Sequence, residues 1–321
     1  MHCHPGLSAI YLRRDLSREH RPPTFWNPFR QQLDLPRAHR HGLRVMTATV
    51  YATPALPGPR PRAMALNMID AIDAAVARTE NSVVARERGS VAPIFAAGKL
   101  AVLHAVEGGH HLGGSLEAID ELAARGVRYL TLTHFVHNGL AQPARLGLYA
   151  LLRGQPGLTA FGREVVKRCE AHGVLIDLTH CSDRSFADVA TVATKPLLAT
   201  HVGCRRFFAT ERNLSDEQLR LIAQSGGVVG IISWSWLLKR RGLRATREDF
   251  LDTLVHAASV AGTNHVGIGT DFDGMVWSAA GVRDASCYPS LTTGLRARGF
   301  TDNEVRAIMG GNYLRVLREA V

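Results

Sequence analysis

The chain has 321 residues, of which 46% are hydrophobic and 21% are charged, and its formal net charge is +10. These proportions exclude a disordered chain, and no apolar run approaches the length that crosses a bilayer. The first residues do not predict a secretory signal, because a short apolar stretch runs directly into arginines. We therefore expect a cytoplasmic protein without a membrane partner.

Much of the positive charge lies in residues 13–44, where the arginines do not alternate with aromatic residues as they do in many nucleic-acid-binding surfaces. We expect no nucleic-acid partner. Two interpretations of this charge remain open: an arginine-rich surface in contact with solvent, or a positive field that attracts an anionic substrate.

The five cysteines are scattered and have no Cys-x-x-Cys spacing, which argues against a disulfide framework and for a reducing compartment. They are Cys3, Cys169, Cys181, Cys204 and Cys287.

Short runs rich in β-branched residues recur along the chain, and each is followed by a segment of helical periodicity. This alternation is typical of a parallel sheet covered by helices. Strands are predicted at residues 43–52, 99–109, 127–134, 173–180, 195–203, 226–234 and 264–274. Helices are predicted at Ala63–Arg88, Ser115–Arg125, Ala160–His172, Ser215–Ser225 and Arg247–Ala261. At the start of the fourth helix, Ser215 and Gln218 have the spacing of a capping box.

Seven strands are one short of a (β/α)8 TIM barrel, the common closed form of this α/β alternation at such a length. We predict one domain, residues 1–321, with its first strand missing or truncated. In a barrel, a strand would run directly into "HCH" at residues 2–4, where this sequence begins. We therefore expect His2 and His4 to lie at the end of that strand, and the ancestral chain to start several residues upstream.

Polar residues that can bind metals or transfer protons stand where the predicted strands end. They are Glu107, His134, His180, His201 and Asp271. Each of them alone has an ordinary structural explanation. Because barrel enzymes keep their active sites at the carboxyl ends of the strands, five such residues in equivalent positions indicate a shared site.

Four imidazoles and one carboxylate form a donor set that suits zinc, with cobalt or manganese as possible substitutes. The set consists of His2, His4, Glu107, His180 and His201. A carboxylate with two oxygens can bridge two ions about 3.5 Å apart, and a water held between such ions becomes a nucleophile near neutral pH. The sequence therefore predicts two zinc ions bridged by Glu107.

Several longer motifs occur in a characteristic order: "HCHPG", "AVEGGHHLGG", "LIDLTHCSD", "LLATHVGCRRFFATERNLSD", "GIGTDFDG" and "GGNYLRVL". In this order they resemble the membrane (renal) dipeptidase family of binuclear zinc peptidases and its bacterial members. The resemblance extends over nearly the whole chain. It implies a TIM barrel of the metal-dependent hydrolase type, a dipeptide as the small-molecule substrate and a possible homodimer.

The resemblance also implies a role for each matching residue. His2 and His4 would hold the first ion, Glu107 would bridge, and His180 and His201 would hold the second. His134 would bind the substrate and stabilise the oxyanion, and Arg212 would bind the substrate's carboxylate. Asp271 would transfer the proton from the attacking water to the leaving amine.

Two departures from the family pattern bear on the site. His4 stands where the family usually has an aspartate, so the first ion would gain a neutral nitrogen in place of an anionic oxygen. Trp234 and Trp236 stand in a segment where the family tends to carry an aromatic residue with a hydroxyl group. An indole donates one hydrogen bond and accepts none, so either the pocket prefers a different substrate side chain or these residues only pack.

The sequence therefore favours a zinc-dependent dipeptidase that uses a hydroxide bridging two metal ions. One alternative is a barrel amidohydrolase acting on another carboxylate-bearing amide, such as an N-acyl amino acid or a lactam. The other is a truncated, non-catalytic relative whose basic segment binds an acidic partner.

Overall fold

The computed structural model describes residues 1–24, 27, 29–52, 60–87, 89–146, 157–239, 244–275 and 277–320. Its centre is a parallel sheet in the order β1-β3-β4-β5-β6-β7-β8, and β2 pairs with β3. The strands are β1 (Val45–Tyr51), β2 (Ser82–Val84), β3 (Leu100–Glu107), β4 (Val127–Thr131), β5 (Leu175–Asp177), β6 (Leu198–Val202), β7 (Val228–Ile231) and β8 (Val266–Ile268).

Helices follow most strands and cover the outside of the sheet. They are α1 (Pro5–Tyr11), α2 (Leu35–Arg40), α3 (Pro61–Ala77), α4 (Val91–Ala96), α5 (Glu117–Ala124), α6 (Ala160–Ala171), α7 (Asp183–Ala190), α8 (Asp216–Gln224), α9 (Ser235–Leu238), α10 (Arg247–Ala261), α11 (Tyr288–Ala297), α12 (Asp302–Arg306) and α13 (Asn312–Ala320). Within the described part of the chain, none of them combines the length and apolar character that a membrane span requires.

All seven predicted strands are confirmed, and so are four of the five predicted helices. The capping box of α8 is also present, because the Ser215 side chain accepts from the Gln218 amide while the Gln218 side chain accepts from the Ser215 amide.

The predicted helix Ala63–Arg88 is wrong in its second half. The helix α3 ends at Ala77, a turn follows in which the Ser82 amide donates to the Thr79 carbonyl, and Ser82–Val84 forms β2. Two adjacent valines favour a strand, and β2 pairs with Leu100–Val102 along the edge of β3 that β4 leaves uncovered. Arg88 lies outside the described residues.

Residues 1–4 close the sheet between β1 and β8. Cys3 forms parallel bridges to Ala48 on one side and to Phe272 on the other. The Cys3 carbonyl accepts from the Thr49 amide at 2.8 Å, and the His4 amide donates to the Phe272 carbonyl at 2.7 Å. These four residues therefore occupy the place of the first strand, which the sequence analysis expected to be missing or truncated.

The two ends of the barrel interior differ in polarity. Near the amino ends of the strands, apolar side chains of the sheet form a cluster with side chains of α13. The strand members include Leu103, Leu175, Leu198 and Val228, and the α13 members include Tyr313 and Leu317. Towards the carboxyl ends, hydroxyl and carboxylate groups replace these side chains, among them Thr49, Tyr129, Thr131, Asp177 and Thr200, all of them buried. Apolar side chains thus fill the barrel at the amino ends of the strands. Polar side chains line the carboxyl ends, which we call the upper end of the barrel.

Two glycines of the sheet lie so close to β6 that no side chain fits. A Cβ on Gly269 would lie 1.7 Å from the Thr200 carbonyl oxygen, and one on Gly230 would lie 2.1 Å from the same atom. These contacts are with backbone atoms, which cannot move aside without shifting the strand.

We predict that Gly269→Ala lowers the free energy of unfolding by about 3 kcal/mol, because overpacking a strand contact displaces the backbone. Urea denaturation measures this change. The control Ser259→Ala, on the exposed surface of α10, should change it by less than about 0.5 kcal/mol. Equal stability of the two variants would contradict the close packing described here.

Candidate active site

The carboxylate of Glu107 lies at the centre of a cluster of histidines. Glu107 is the last residue of β3 and is buried. Its Oε1 lies 3.1 Å from Nε2 of both His180 and His201, and its Oε2 lies 3.2 Å from Nε2 of His4. Nε2 of His2 lies 3.0 Å from Nε2 of His4 and 3.8 Å from Oε1 of Glu107. The fold thus brings together all five residues that the sequence suggested as metal ligands.

The electrostatics of this cluster suit a bound cation. Burial lowers the pKa of His2, His180 and His201, so each ring keeps a free lone pair at neutral pH. Oε1 of Glu107 makes no aligned hydrogen bond although two ring nitrogens lie 3.1 Å away. Imidazole nitrogens that are mostly neutral, together with a carboxylate oxygen that no aligned hydrogen bond occupies, fit the ligand preferences of zinc.

Three overlapping groups of side chains have ligand atoms within 4.8 Å of one another. They are His2, His4 and Glu107; Glu107, His134 and His180; and His2, His201 and Asp271. Glu107 belongs to two of these groups, so its carboxylate connects the His2 side of the cluster to the His180 side.

A buried carboxylate beneath the cluster orients two of the histidines. Asp177, at the end of β5, accepts five hydrogen bonds, which come from the hydroxyls of Thr131, Thr179 and Thr200 and from the amides of Thr179 and Thr200. The Thr200 oxygen lies 3.1 Å from Nδ1 of His2 and 3.0 Å from Nδ1 of His201. Because the Thr200 hydroxyl donates to Asp177, it accepts from both rings, which leaves their Nε2 lone pairs facing Glu107.

This hydrogen-bond network was not predicted from the sequence. Asp177 stands within the apolar run "LIDL", where a charged residue in a predicted buried strand was a usable signal. Tyr129, whose hydroxyl lies 2.8 Å from Nδ1 of His2, gave no such signal, because tyrosine is common in strands.

His134 and Asp271 lie at the edge of the cluster. Nε2 of His134 is 3.8 Å from Oε2 of Glu107, and burial lowers the pKa of His134. Oδ1 of Asp271 lies 3.3 Å from Nε2 of His4. Burial lowers the pKa of His4, but hydrogen bonds to Asp271 and Glu107 outweigh it and raise this pKa to about 10.

Two of these residues adopt a backbone conformation that is uncommon for side chains other than glycine. The φ angle is 68° at His180 and 58° at Asp271, in the left-handed region. Hydrogen bonds hold both positions: the His180 carbonyl accepts from the Ala144 amide, and the Asp271 amide donates to the His2 carbonyl. Such conformations concentrate at functional sites because the surrounding structure must maintain them.

Arg212 lies beside the second pair of histidines. It is buried, its Nη1 donates to the His201 carbonyl, and its Nη2 lies 3.0 Å from Nε2 of His180. Its Nε has no hydrogen-bond partner. Burial lowers the pKa of Arg212 to about 10, so the group stays protonated at neutral pH.

A cavity of about 470 Å³ opens above the cluster. Its polar lining includes His4, Glu107, His134, His180, Arg212, Asp271 and Asp273. Its apolar lining includes Leu7, Tyr11, Leu12, Tyr51, Phe135, Trp234, Met275 and Trp277, most of which the sequence analysis did not identify. Some of them, such as Phe135, Met275 and Trp277, lie in loops, which lack a periodic signal. The volume and the mixed lining are typical of a small-molecule site.

The two tryptophans noted in the sequence differ in position. Trp234 lines the cavity, whereas Trp236 is 48% exposed and stacks on Trp234 with ring centroids 5.7 Å apart. The thiols near the cluster are buried and free, and burial raises the pKa of Cys181 and of Cys204 to about 12. They are therefore protonated and unreactive, as expected of apolar fillers.

Comparison with known proteins identifies the family. The model of Membrane dipeptidase (Peptidase family M19) matches residues 10–321. This chain belongs to the M19 family. The matched range begins after His2 and His4, so it includes three of the five clustered residues.

Curated relatives are similar to this chain in sequence, and a solved structure is similar to it in fold. Dipeptidase tcpJ of Claviceps purpurea is 33% identical over 74% of this chain and 55% of its own length, and Dipeptidase 3 of Macaca fascicularis is 33% identical over 69% and 45%. The chain thus spans about half the length of these curated relatives. A metallopeptidase from Rhodobacter sphaeroides, solved with a phosphinate mimic of the dipeptide L-Ala-D-Ala, is 25% identical with a TM-score of 0.87. That alignment covers 100% of this chain and 98% of the other, and the shared architecture is a (β/α)8 barrel.

We predict that Asp177→Asn lowers the free energy of unfolding by about 2 kcal/mol. In the wild type, the threonine hydroxyls and amides donate to a charged carboxylate, and a neutral side-chain amide accepts these hydrogen bonds less strongly. Urea denaturation of the metal-free protein measures it. The control Asp252→Asn removes an exposed pair with Arg298 and should cost less than about 0.5 kcal/mol. Similar values for both variants would show that Asp177 does not anchor the threonines.

Proposed function

We propose that this chain is a zinc-dependent dipeptidase that binds two metal ions, with Glu107 as the bridging ligand. The observation that carries the proposal is the convergence of four histidines on both oxygens of one buried carboxylate, with a buried guanidinium beside them. In this proposal, His2 and His4 hold the first ion, and His180 and His201 hold the second. Membership of the M19 family and the substrate mimic in the Rhodobacter sphaeroides relative support it.

When bound, a pair of zinc ions supplies a water of lowered pKa and polarises the carbonyl of the scissile bond. The remaining chemistry belongs to side chains. Asp271, at the cavity wall, accepts the proton of the attacking water and passes it to the leaving nitrogen. His134, a neutral imidazole, donates a hydrogen bond to the oxygen that becomes negative in the transition state.

Arg212 fixes the substrate's free carboxylate, for which a guanidinium is the best-matched donor. His180 has one lone pair on Nε2, which either Arg212 or a metal ion can use. If His180 held a metal ion through Nε2, the Nη2 group of Arg212 would be free to donate to the substrate's carboxylate. The carboxylate requirement restricts the substrates to short peptides with a free C-terminus.

Hydrolysis by the zinc-loaded chain tests the proposal. We expect turnover of L-Ala-L-Ala or L-Ala-D-Ala, followed by release of free alanine. Exclusive turnover of N-acetylalanine or of a lactam would favour the amidohydrolase alternative. No turnover of any substrate by a fully metal-loaded sample would favour a non-catalytic protein.

We predict two zinc ions per chain in the wild type and about one in His201→Ala, because that variant removes a nitrogen ligand from one position only. Elemental analysis after dialysis measures the content. His172→Ala is the matched control, since His172 lies on the surface beside Asp120 and should leave two ions bound. Unchanged zinc in His201→Ala would exclude it as a ligand.

Arg212→Lys should raise KM for dipeptides about 10- to 100-fold at unchanged zinc content, because a single ammonium cannot reproduce two parallel hydrogen bonds to a carboxylate. Steady-state kinetics measures the change. Arg206→Lys, at an exposed position in the same loop, is the control and should leave KM unchanged. A fall in kcat with constant KM would assign Arg212 a different role.

A further inference from the structure

A third carboxylate faces the substrate cavity in addition to Glu107 and Asp271. Asp273 stands in the turn after β8, with φ of 64°, and lines the same cavity as Arg212. Gly274 follows it and lies directly against the histidine cluster, since a Cβ there would be 2.3 Å from the His4 ring. The Asp273 side chain therefore belongs to the wall of the proposed site.

One oxygen of this carboxylate is fixed by a reciprocal pair of hydrogen bonds. Oδ1 of Asp273 accepts from the Gln32 amide at 2.7 Å, and the Asp273 amide donates to Oε1 of Gln32 at 2.7 Å. Nε2 of Gln32 in turn donates to Ser278 and to the Arg283 carbonyl. The orientation of the carboxylate is thus set by the loop that carries Gln32.

The other oxygen accepts no well-aligned hydrogen bond. Oδ2 of Asp273 is buried, and a further donor near the carboxylate, the Leu33 amide, does not satisfy it with good geometry. Two arginines lie on the same side but are engaged elsewhere: Arg37 pairs with Asp34 at 2.8 Å, and Arg14 donates to the Phe29 carbonyl. Within the described ranges, no lysine or arginine nitrogen lies within 4.0 Å of the Asp273 carboxylate. A buried carboxylate oxygen that lacks a good hydrogen bond raises the free energy of the folded protein. A ligand that brings a hydrogen-bond donor to this oxygen would therefore be bound favourably.

The proposed substrate brings such a donor. A dipeptide is a zwitterion, and Arg212 accounts for only its carboxylate. Of the three carboxylates in the described lining, Glu107 is surrounded by imidazoles and Asp271 lies 3.3 Å from His4. Asp273 is the one that has no histidine nitrogen of the described residues within 4.0 Å.

On the basis of the proposed function, we propose that Oδ2 of Asp273 binds the α-ammonium group of the dipeptide and makes a free amino terminus a requirement for binding. Arg212 and Asp273 then recognise the two charged ends of the substrate. An N-acylated analogue would lose this hydrogen bond and leave Oδ2 buried without a well-aligned donor.

The test compares two phosphinate mimics of Ala-Ala, one with a free amino group and one N-acetylated, by calorimetry on the zinc-loaded full chain. We expect the wild type to bind the mimic with the free amino group at least about 10-fold more tightly than the acetylated mimic. Asp273→Asn should weaken binding of the free amine about 10- to 100-fold and should change the affinity for the acetylated mimic by no more than about twofold. Asparagine keeps an Oδ1 acceptor for the Gln32 amide, so the loop contact survives.

Ser278→Ala is the control, because it removes a hydrogen bond to Gln32 without changing the charge of the cavity, and it should preserve the wild-type preference. Equal weakening of both mimics by Asp273→Asn, or no weakening, would overturn the inference. Hydrolysis of L-Ala-L-Ala is measured in parallel. If the wild type prefers the free amine and Asp273→Asn abolishes that preference, but no dipeptide is hydrolysed, the proposed function fails and the ammonium site stands.

Discussion

Burial of the Glu107 carboxylate is the constraint on which the upper end of the barrel depends. An anion in this position needs hydrogen-bond donors or a cation beside it. The free energy of moving a carboxylate from water into the protein interior is far larger than that of moving a neutral group. Most of the neighbouring imidazoles are neutral, and Oε1 of Glu107 receives no aligned hydrogen bond from His180 or His201. Only His4, on the side of Oε2, has a raised pKa. The side chains alone therefore leave the charge incompletely compensated, and the metal ions of the proposed function would complete this compensation.

The polar layer below Glu107 turns this constraint into a defined geometry. Asp177 holds three threonine hydroxyls, and one of these, on Thr200, accepts from the rings of His2 and His201. Because β5 and β6 carry this network, the two histidines are oriented by neighbouring strands and not by flexible loops. Residues 1–4 bring His2 to the same layer by pairing with both β1 and β8.

Much of this organisation was predictable from the sequence, for a physical reason. Parallel strands share a carboxyl edge, so Glu107, His180 and His201 had to meet there once their strands were recognised. The Asp177 network was not predictable, because it depends on the register between strands distant in sequence. The end of α3 was missed although the polar run "RTEN" at residues 78–81 separates its apolar pattern from the valines of β2. The apolar cavity wall was not predicted either, because Trp277 lies in a loop whose path no periodicity indicates and Tyr11 ends α1, a helix that was not predicted.

The most direct test of this account is a crystal of the zinc-loaded full chain measured on both sides of the zinc absorption edge. Two anomalous peaks, one on each side of the Glu107 carboxylate, are the predicted result, with His2 and His4 at one and His180 and His201 at the other. A single peak, or zinc bound away from Glu107, would contradict the central claim that one buried carboxylate bridges two metal ions.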